Sequence, residues 1–80
     1  MEIKYVVVNN GGLAGEEIIL FPAFKQHKEM AVLGKIVSAG FVGHNSAMQS
    51  GFYTLGESIS LEIKSRPQDQ ILLDMLLRER

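Results

Sequence analysis

The stretch "KYVVVNNGGLAGEEIILFP", residues 4–22, decides the fold, because its glycines either bind a phosphate or turn the chain. A phosphate-binding glycine loop leads into a helix, whose N-terminus supplies the amide donors and the dipole. Here the glycines lead into "EEIILFP", an apolar, partly β-branched run that ends at a proline and is typical of a strand. The sequence therefore predicts that Asn9 to Gly15 joins two antiparallel strands, with Asn and Gly supplying the positive φ angles of the turn.

The composition indicates one small domain spanning residues 1–80. Hydrophobic residues make up 46% of the chain, which favours a packed core over disorder. The net charge of −1 gives no electrostatic footprint for nucleic acid. The chain has no cysteine, which excludes disulfides and thiolate metal sites and fits a reducing cytoplasm, the predicted location. The N-terminus is too polar for a secretion signal, and no segment is long enough to span a membrane, so we expect no membrane association.

The middle of the chain changes its hydrophobic period. "PAFKQHKEMAVLG" begins with a proline suited to a first helical turn and ends with a glycine suited to a helix C-terminus. It predicts an amphipathic helix packed on the sheet. Its apolar face holds Ala23, Phe24, His27, Met30 and Ala31.

Two further strands and a final helix follow. The small residues of "KIVSAGFVG", Lys35 to Gly43, suit a strand that other groups approach closely. "FYTLGESISLEIK" alternates strictly from Ser58 to Lys64, which predicts a strand with a bend or bulge at Gly56. In "SRPQDQILLDMLLRER", the Ser65–Gln68 spacing of a capping box predicts a helix from about Arg66 to near the C-terminus. The predicted fold is α+β, with the order ββαββα and two helices packed on one face of a mainly antiparallel four-stranded sheet.

The apolar surface exceeds what such a two-layer domain covers. The first two strands are apolar on both faces, and the apolar residues of the last helix cover about 240° of its circumference, whereas a surface helix needs a stripe of about 100°. Surplus apolar surface on a small protein usually marks an interface. We therefore expect a homodimer or higher oligomer that meets through the last helix or the open sheet face. The alternative is a tightly wrapped monomer.

Four side chains are candidates for ligand binding: His27, His44, Glu57 and Arg66. His27, on the apolar helix face, is either a general base or metal ligand or, as we favour, a buried histidine satisfied by a hydrogen bond. His44 is more simply a solvated loop residue. Glu57 follows the predicted bend and is either a rim residue or a functional carboxylate. A histidine and Glu57 form an acid/base pair only if the fold brings them together.

Arg66 stands at a helix start, where it can pair with an anion or, more simply, with a neighbouring acid such as Glu62. No serine lies in the sequence context of a nucleophile elbow, so we assign no catalytic residue. We also expect neither a cofactor nor a metal ion.

The polar segment from Gly43 to Gly51 is longer than a tight hairpin requires, and such loops often carry recognition. The residues that we predict to contact a partner protein are His44, Asn45, Met48 and Gln49. The alternative is a connector without a role in binding.

The chain resembles short uncharacterised bacterial and phage-borne proteins through "LFP" (Leu20 to Pro22), His27, "VSAGF" (Val37 to Phe41), "GESISL" (Gly56 to Leu61) and "SRPQD" (Ser65 to Asp69). The resemblance implies a small accessory protein and no active site. We therefore predict a non-catalytic protein-binding module, oligomeric and without nucleic-acid binding. The alternative is a small ligand-binding or hydrolytic protein with a pocket between subunits.

Overall fold

The structure is a computed structural model that describes residues 2–9, 11, 15–47 and 51–78. Six strands, a 3-10 helix and an α-helix lie in these ranges. In chain order they are β1 (Ile3–Asn9), β2 (Glu16–Pro22), the 3-10 helix (His27–Leu33), β3 (Lys35–His44), β4 (Phe52–Leu55), β5 (Glu57–Ser58), β6 (Ile63–Lys64) and α1 (Asp69–Arg78).

An antiparallel four-stranded sheet in the order β2-β1-β3-β4 forms the centre of the α+β fold. The predicted hairpin is confirmed, because β1 pairs antiparallel with β2. The Asn9 Oδ1 atom accepts a hydrogen bond from the Gly11 N–H at 2.9 Å, a local bond that favours a turn. Since β2 and β3 flank β1 on opposite sides, the segment with the 3-10 helix crosses over β1 to connect them.

Both faces of the sheet are covered within one copy. We call the face with Tyr5, Val7 and Ile18 the helix face, since the leucines of α1 pack there. We call the face with Val6 and Val8 the hairpin face, and here Met30 of the 3-10 helix and Ile63 of β6 pack. The two helices thus pack on opposite faces, and the prediction that they share one face was wrong in this respect.

This three-layer arrangement explains why β1 is apolar on both sides. Its four central residues, Tyr5 to Val8, are completely buried between the two outer layers. The predicted open sheet face therefore does not exist over β1, and the apolar faces of this strand no longer argue for an oligomer. The exposed apolar side chains of α1 still do.

The strand predicted from Ser58 to Lys64 is instead a tight hairpin. The bend at Gly56 is confirmed by its φ of 79°, and the chain reverses again at Glu62, whose φ is 56°. The buried Ser58 hydroxyl accepts a hydrogen bond from the Leu61 N–H at 3.2 Å within this turn. The strict alternation is therefore divided between β5, a four-residue turn and β6, and the Ile59 side chain is left 87% exposed.

Both helices differ from their predicted forms. The first is a 3-10 helix, in which residues three apart lie on the same side, so His27 and Met30 point inward while Phe24 lies outside the helix and exposed. The α-helix begins at Asp69 rather than Arg66. Asp69 supplies the acidic half of a capping box, since its Oδ2 atom accepts from the backbone N–H of Arg66 at 2.9 Å.

The small residues of β3 allow the close approaches that the sequence predicted. A Cβ atom on Gly40 would meet the Leu55 carbonyl oxygen, the Tyr5 ring and the Ser65 Cβ. A Cβ atom on Gly43 would meet the ring of Tyr53. Both positions therefore require glycine because of crowding, and Gly40 lies where the elements of the two faces meet.

Candidate functional site

A buried polar network connects the start of α1 to the sheet. Asp69 is completely buried and accepts hydrogen bonds from the Tyr5 hydroxyl at 2.6 Å and the Ser38 hydroxyl at 2.9 Å. The Arg66 Nε atom donates to the same carboxylate at 3.0 Å. Arg66 also donates two hydrogen bonds to the Glu16 carboxylate, at 2.8 and 3.0 Å. The network thus links β1, β2, β3 and the first turn of α1.

The charges of the network shift the pKa values of its outer members. Burial, followed by the hydrogen bond to Asp69, raises the pKa of the Tyr5 hydroxyl. The hydrogen-bonded guanidinium of Arg66 lowers the pKa of the Glu16 carboxyl. At neutral pH Tyr5 is therefore a neutral donor and Glu16 an anion.

The centre of this network is closed to solvent. Ser38 and Asp69 are completely buried, so a substrate cannot reach the hydroxyl or the carboxylate. Ser38 donates to Asp69 directly, without the histidine that activates a serine nucleophile in a triad. The prediction that Arg66 pairs with an acidic side chain is confirmed, but its partners are Glu16 and Asp69 rather than Glu62.

A separate surface cleft of about 210 Å³ lies beside the hairpin face. It brings two of the four predicted ligand-binding residues, His27 and Glu57, to one place. The residues that line the cleft are Lys4, Gln26, His27, Phe41, Glu57, Ile59 and Ser60.

His27 is buried, as we favoured from the sequence, and its Nε2 atom donates to the Gly40 carbonyl oxygen at 2.8 Å. The edges of Phe21 and Phe41 pack around the ring, each with centroids 5.5 Å away. Burial lowers the pKa of His27, and the nearby Lys4 ammonium also lowers it. The imidazole is therefore neutral at pH 7, and its Nδ1 atom is a hydrogen-bond acceptor.

The other two predicted ligand-binding residues lie elsewhere. His44 is the last residue of β3, exposed, with its ring centroid 5.2 Å from that of Phe52. Arg66 lines a different surface depression with Thr54, Ser65 and Gln70. The structure thus brings together one histidine and Glu57 of the predicted set, but neither His44 nor Arg66.

The predicted recognition loop is shorter than the sequence indicated, because β3 continues to His44. Asn45, the first residue of the loop, is held by two hydrogen bonds. Its backbone N–H donates to the Gly51 carbonyl oxygen, and its side-chain Oδ1 atom accepts from the Ala47 N–H, both at 2.9 Å. Met48 and Gln49 lie outside the described residues.

Within residues 2–9, 11, 15–47 and 51–78, no group of three or more histidine, cysteine, aspartate or glutamate side chains is arranged to hold a metal ion. No helix in the same part of the chain is long and apolar enough to cross a membrane.

Comparisons with known proteins identify no relative. No protein-family model, no curated protein and no solved structure matches the chain.

The partnership of Asp69 with Tyr5 and Ser38 has no signature in the sequence. Tyr5 and Asp69 are 64 positions apart, and only the completed fold brings them together. One local signal was present, because an acid three residues after a helix-capping position is the spacing of a capping box. Asp69 has this spacing relative to Arg66, whose backbone N–H it accepts, although Arg66 lacks the side-chain oxygen of a capping residue.

Proposed function

We propose that the protein is a small non-catalytic module that binds another protein and assembles as an oligomer. The observation that carries the proposal is the set of exposed apolar side chains beside the hairpin face. Phe24 is 74% exposed, Val32 88% and Ile59 87%, although the core of so small a protein needs every apolar side chain that it can bury. All three belong to segments on the hairpin side of the sheet, and exposed apolar side chains that form a contiguous patch usually mark a binding surface.

The hydrogen bonds among the buried polar side chains support a module without catalysis. Asp69, Ser38, Tyr5 and Arg66 hold the fold together, so they are not free to act on a substrate. The loop after His44 is a second proposed contact for the partner, with Asn45 as a polar donor and acceptor. We propose a cytoplasmic location from the absence of cysteine, and an accessory role, bacterial or phage-borne, from the resemblance described above.

The experiment is affinity capture from the source organism with mass spectrometry, comparing the wild type with Val32→Asp and Ile59→Asp. We expect a partner that the wild type retains and both variants lose, since a carboxylate would be desolvated in the interface. The matched control is Leu55→Asp, an exposed leucine at the end of β4 that belongs neither to this set nor to α1. Equal capture by all four proteins would contradict the proposed surface.

The second candidate function is the binding of a small ligand in the cleft, and the meeting of His27 and Glu57 there favours it. Its volume of about 210 Å³ is below the range of roughly 300–1,000 Å³ typical of ligand pockets, so only a small molecule would fit. The cleft lies within one copy, so this site does not need a second subunit. Small molecules that co-purify with the wild type but not with Glu57→Gln would favour this function over protein binding.

A further inference from the structure

The cleft beside the hairpin face is built on a row of three side chains that crosses the sheet. Lys4 of β1 is the pairing partner of Phe21 in β2 on one side and of Phe41 in β3 on the other. The His27 ring packs edge-on against both phenylalanines. Lys4, Phe41 and His27 therefore lie close together, and all three line the cleft.

The ammonium group of Lys4 keeps donors that the protein does not use. Its Nζ atom donates one hydrogen bond to the Lys25 carbonyl oxygen at 2.8 Å and lies 6.0 Å from the centroid of the Phe41 ring. These two contacts hold the charge beside the cleft. An ammonium group has three N–H donors, so the two that remain can bind an anionic group in the cleft.

The imidazole of His27 presents an unused acceptor to the cleft. Its Nε2 atom donates to the Gly40 carbonyl oxygen, and its Nδ1 atom has no hydrogen-bond partner among the described residues. Every fully buried side-chain nitrogen or oxygen in those residues does have a partner, so Nδ1 must reach solvent. Since the His27 side chain is otherwise buried and lines the cleft, its Nδ1 atom can accept a hydrogen bond from a molecule bound there.

Glu57 brings a negative charge to the same cleft from another segment of the chain. It is the exposed first residue of β5, directly after the bend at Gly56. In the part of the chain that the structure describes, Glu57 and Lys4 form no ion pair with each other or with other residues. Two opposite charges that line one cleft without meeting each attract the opposite charge of a ligand.

The size and the apolar wall of the cleft limit the ligand further. The volume of about 210 Å³ has room for roughly seven groups the size of a water molecule, at about 30 Å³ each. This is enough for a carboxylate, an ammonium group and a short side chain. The exposed Ile59 and the Phe41 ring also line the cleft, and an apolar side chain placed against them would be removed from water.

We propose that this cleft binds a free α-amino acid with a short apolar side chain. The carboxylate of the ligand accepts from Lys4, its ammonium group donates to Glu57 and to the Nδ1 atom of His27, and its side chain contacts Ile59 and Phe41. A ligand with only a negative charge would leave Glu57 beside a like charge, and one with only a positive charge would meet the Lys4 ammonium. A ligand that carries both charges avoids both costs.

This inference rests on the second candidate function, the binding of a small ligand in the cleft, and names the class of that ligand. Titration of isotope-labelled protein with L-valine, followed by two-dimensional NMR, tests it. Isovalerate is valine without the ammonium group, and isobutylamine is valine without the carboxylate. We expect valine to shift the backbone amide signals of the cleft residues with a Kd below about 1 mM, and each analogue to bind about tenfold more weakly or worse.

Two variants connect each charge of the ligand to its partner in the protein. Lys4→Met keeps the apolar stem but removes the ammonium, and Glu57→Gln removes the carboxylate charge. Each should weaken valine binding about tenfold or more, whereas isovalerate should bind Glu57→Gln no more weakly than the wild type. The matched controls are Lys28→Met and Glu62→Gln, exposed residues that do not line the cleft, and both should bind valine like the wild type. The NMR spectrum of each variant shows whether it is folded.

Three outcomes would overturn the proposed ligand class. No shift of the cleft amides with valine up to about 10 mM would exclude binding of useful affinity. Isovalerate or isobutylamine binding as tightly as valine would show that only one charge is recognised, so ligand binding in the cleft would stand while the amino acid class failed. Equal weakening by the two cleft variants and the two controls would show that the charges act at a distance rather than by contact.

Discussion

On the helix face α1 is anchored by charge, whereas on the hairpin face the 3-10 helix is anchored by a neutral imidazole. Asp69 accepts four hydrogen bonds from donors on three segments of the chain. His27 makes a single hydrogen bond to the Gly40 carbonyl oxygen and is otherwise surrounded by aromatic edges. Removing the Asp69 carboxylate should therefore cost most of the free energy of unfolding, whereas replacing His27 should cost a smaller part of it.

The largest effect is expected from Asp69→Ala. This change leaves the Tyr5 and Ser38 hydroxyls without their acceptor and removes one of the two acidic partners of Arg66. Removing one partner of a buried ion pair costs about 3–5 kcal/mol, most of the stability of a domain this small. Urea unfolding followed by circular dichroism measures the loss, with Glu2→Gln, an exposed acid, as the control. A loss below about 1 kcal/mol would mean that charge does not anchor α1.

Gly40→Ala tests the residue that both faces share. The added methyl group would meet the Leu55 carbonyl oxygen and the Tyr5 ring, while the carbonyl of Gly40 still accepts from His27. Overpacking of this kind costs about 1–3 kcal/mol. The same urea measurement checks it, with Gly11→Ala as a contrast, because a Cβ there meets no atom and only the φ of 72° is strained. A loss at Gly40 no greater than that at Gly11 would contradict the crowding.

These particular residues show which parts of the molecule could be predicted from the sequence. The hairpin from β1 to β2 followed from local chemistry, since Asn, Gly and two apolar runs lie within twenty residues of one another. The buried state of His27 followed from its place on an apolar face. The anchor at Asp69 could not be predicted, because its donors come from distant parts of the chain.

The hairpin at β5 and β6 was missed for a different reason. Alternation from Ser58 to Lys64 predicts which residues share a face only if the chain stays extended. The positive φ of Glu62 breaks that condition, and such an angle is uncommon for a residue other than glycine. Once the chain turns, Ile63 reaches the core and Ile59 does not.

Tyr5→Phe sharpens the comparison by removing one donor of the charged anchor without removing its charge. We expect a loss of about 1–2 kcal/mol at pH 7, because the Asp69 carboxylate loses a buried hydrogen bond. The pKa of the folded Tyr5 hydroxyl is raised above its ordinary value of about 10. Its contribution is therefore fully present below pH 10 and is lost as pH rises through 10 toward the raised value.

The loss of stability at alkaline pH is measured as the urea midpoint of unfolding between about pH 9 and pH 11, a range set by the ordinary tyrosine pKa. The wild type should lose stability more steeply than Tyr5→Phe, and the difference between the two should shrink as pH rises. Tyr53→Phe is the control. Parallel curves for the wild type and Tyr5→Phe would show that ionisation of Tyr5 is not coupled to folding.

His27→Gln tests the neutral anchor, and we expect a smaller loss of about 1 kcal/mol with the binding of a partner protein intact. The lowered pKa of His27 means that its stabilising effect is present above the unfolded value of about 6.5 and is lost as pH falls through the folded pKa. The wild type should therefore lose stability below pH 6.5 faster than the variant does. Thermal melts in acidic buffers measure the difference, and His44→Gln is the exposed control. Lost partner binding with an unchanged melting temperature would place His27 in the partner surface instead.

The smallest effect on stability is expected where neither anchor contributes, in the loop between β3 and β4. When Asn-Gly replaces residues 45–51, a two-residue hairpin turn connects His44 to its pairing partner Phe52. Since loop length enters the free energy of unfolding only logarithmically, we expect a change within about 0.5 kcal/mol and the same oligomeric mass. We also expect weaker partner capture, because Asn45 and the segment after it are removed. Circular dichroism and gel filtration check the fold, and affinity capture checks the partner. An unchanged partner profile would leave recognition to the apolar surface of Phe24, Val32 and Ile59 alone.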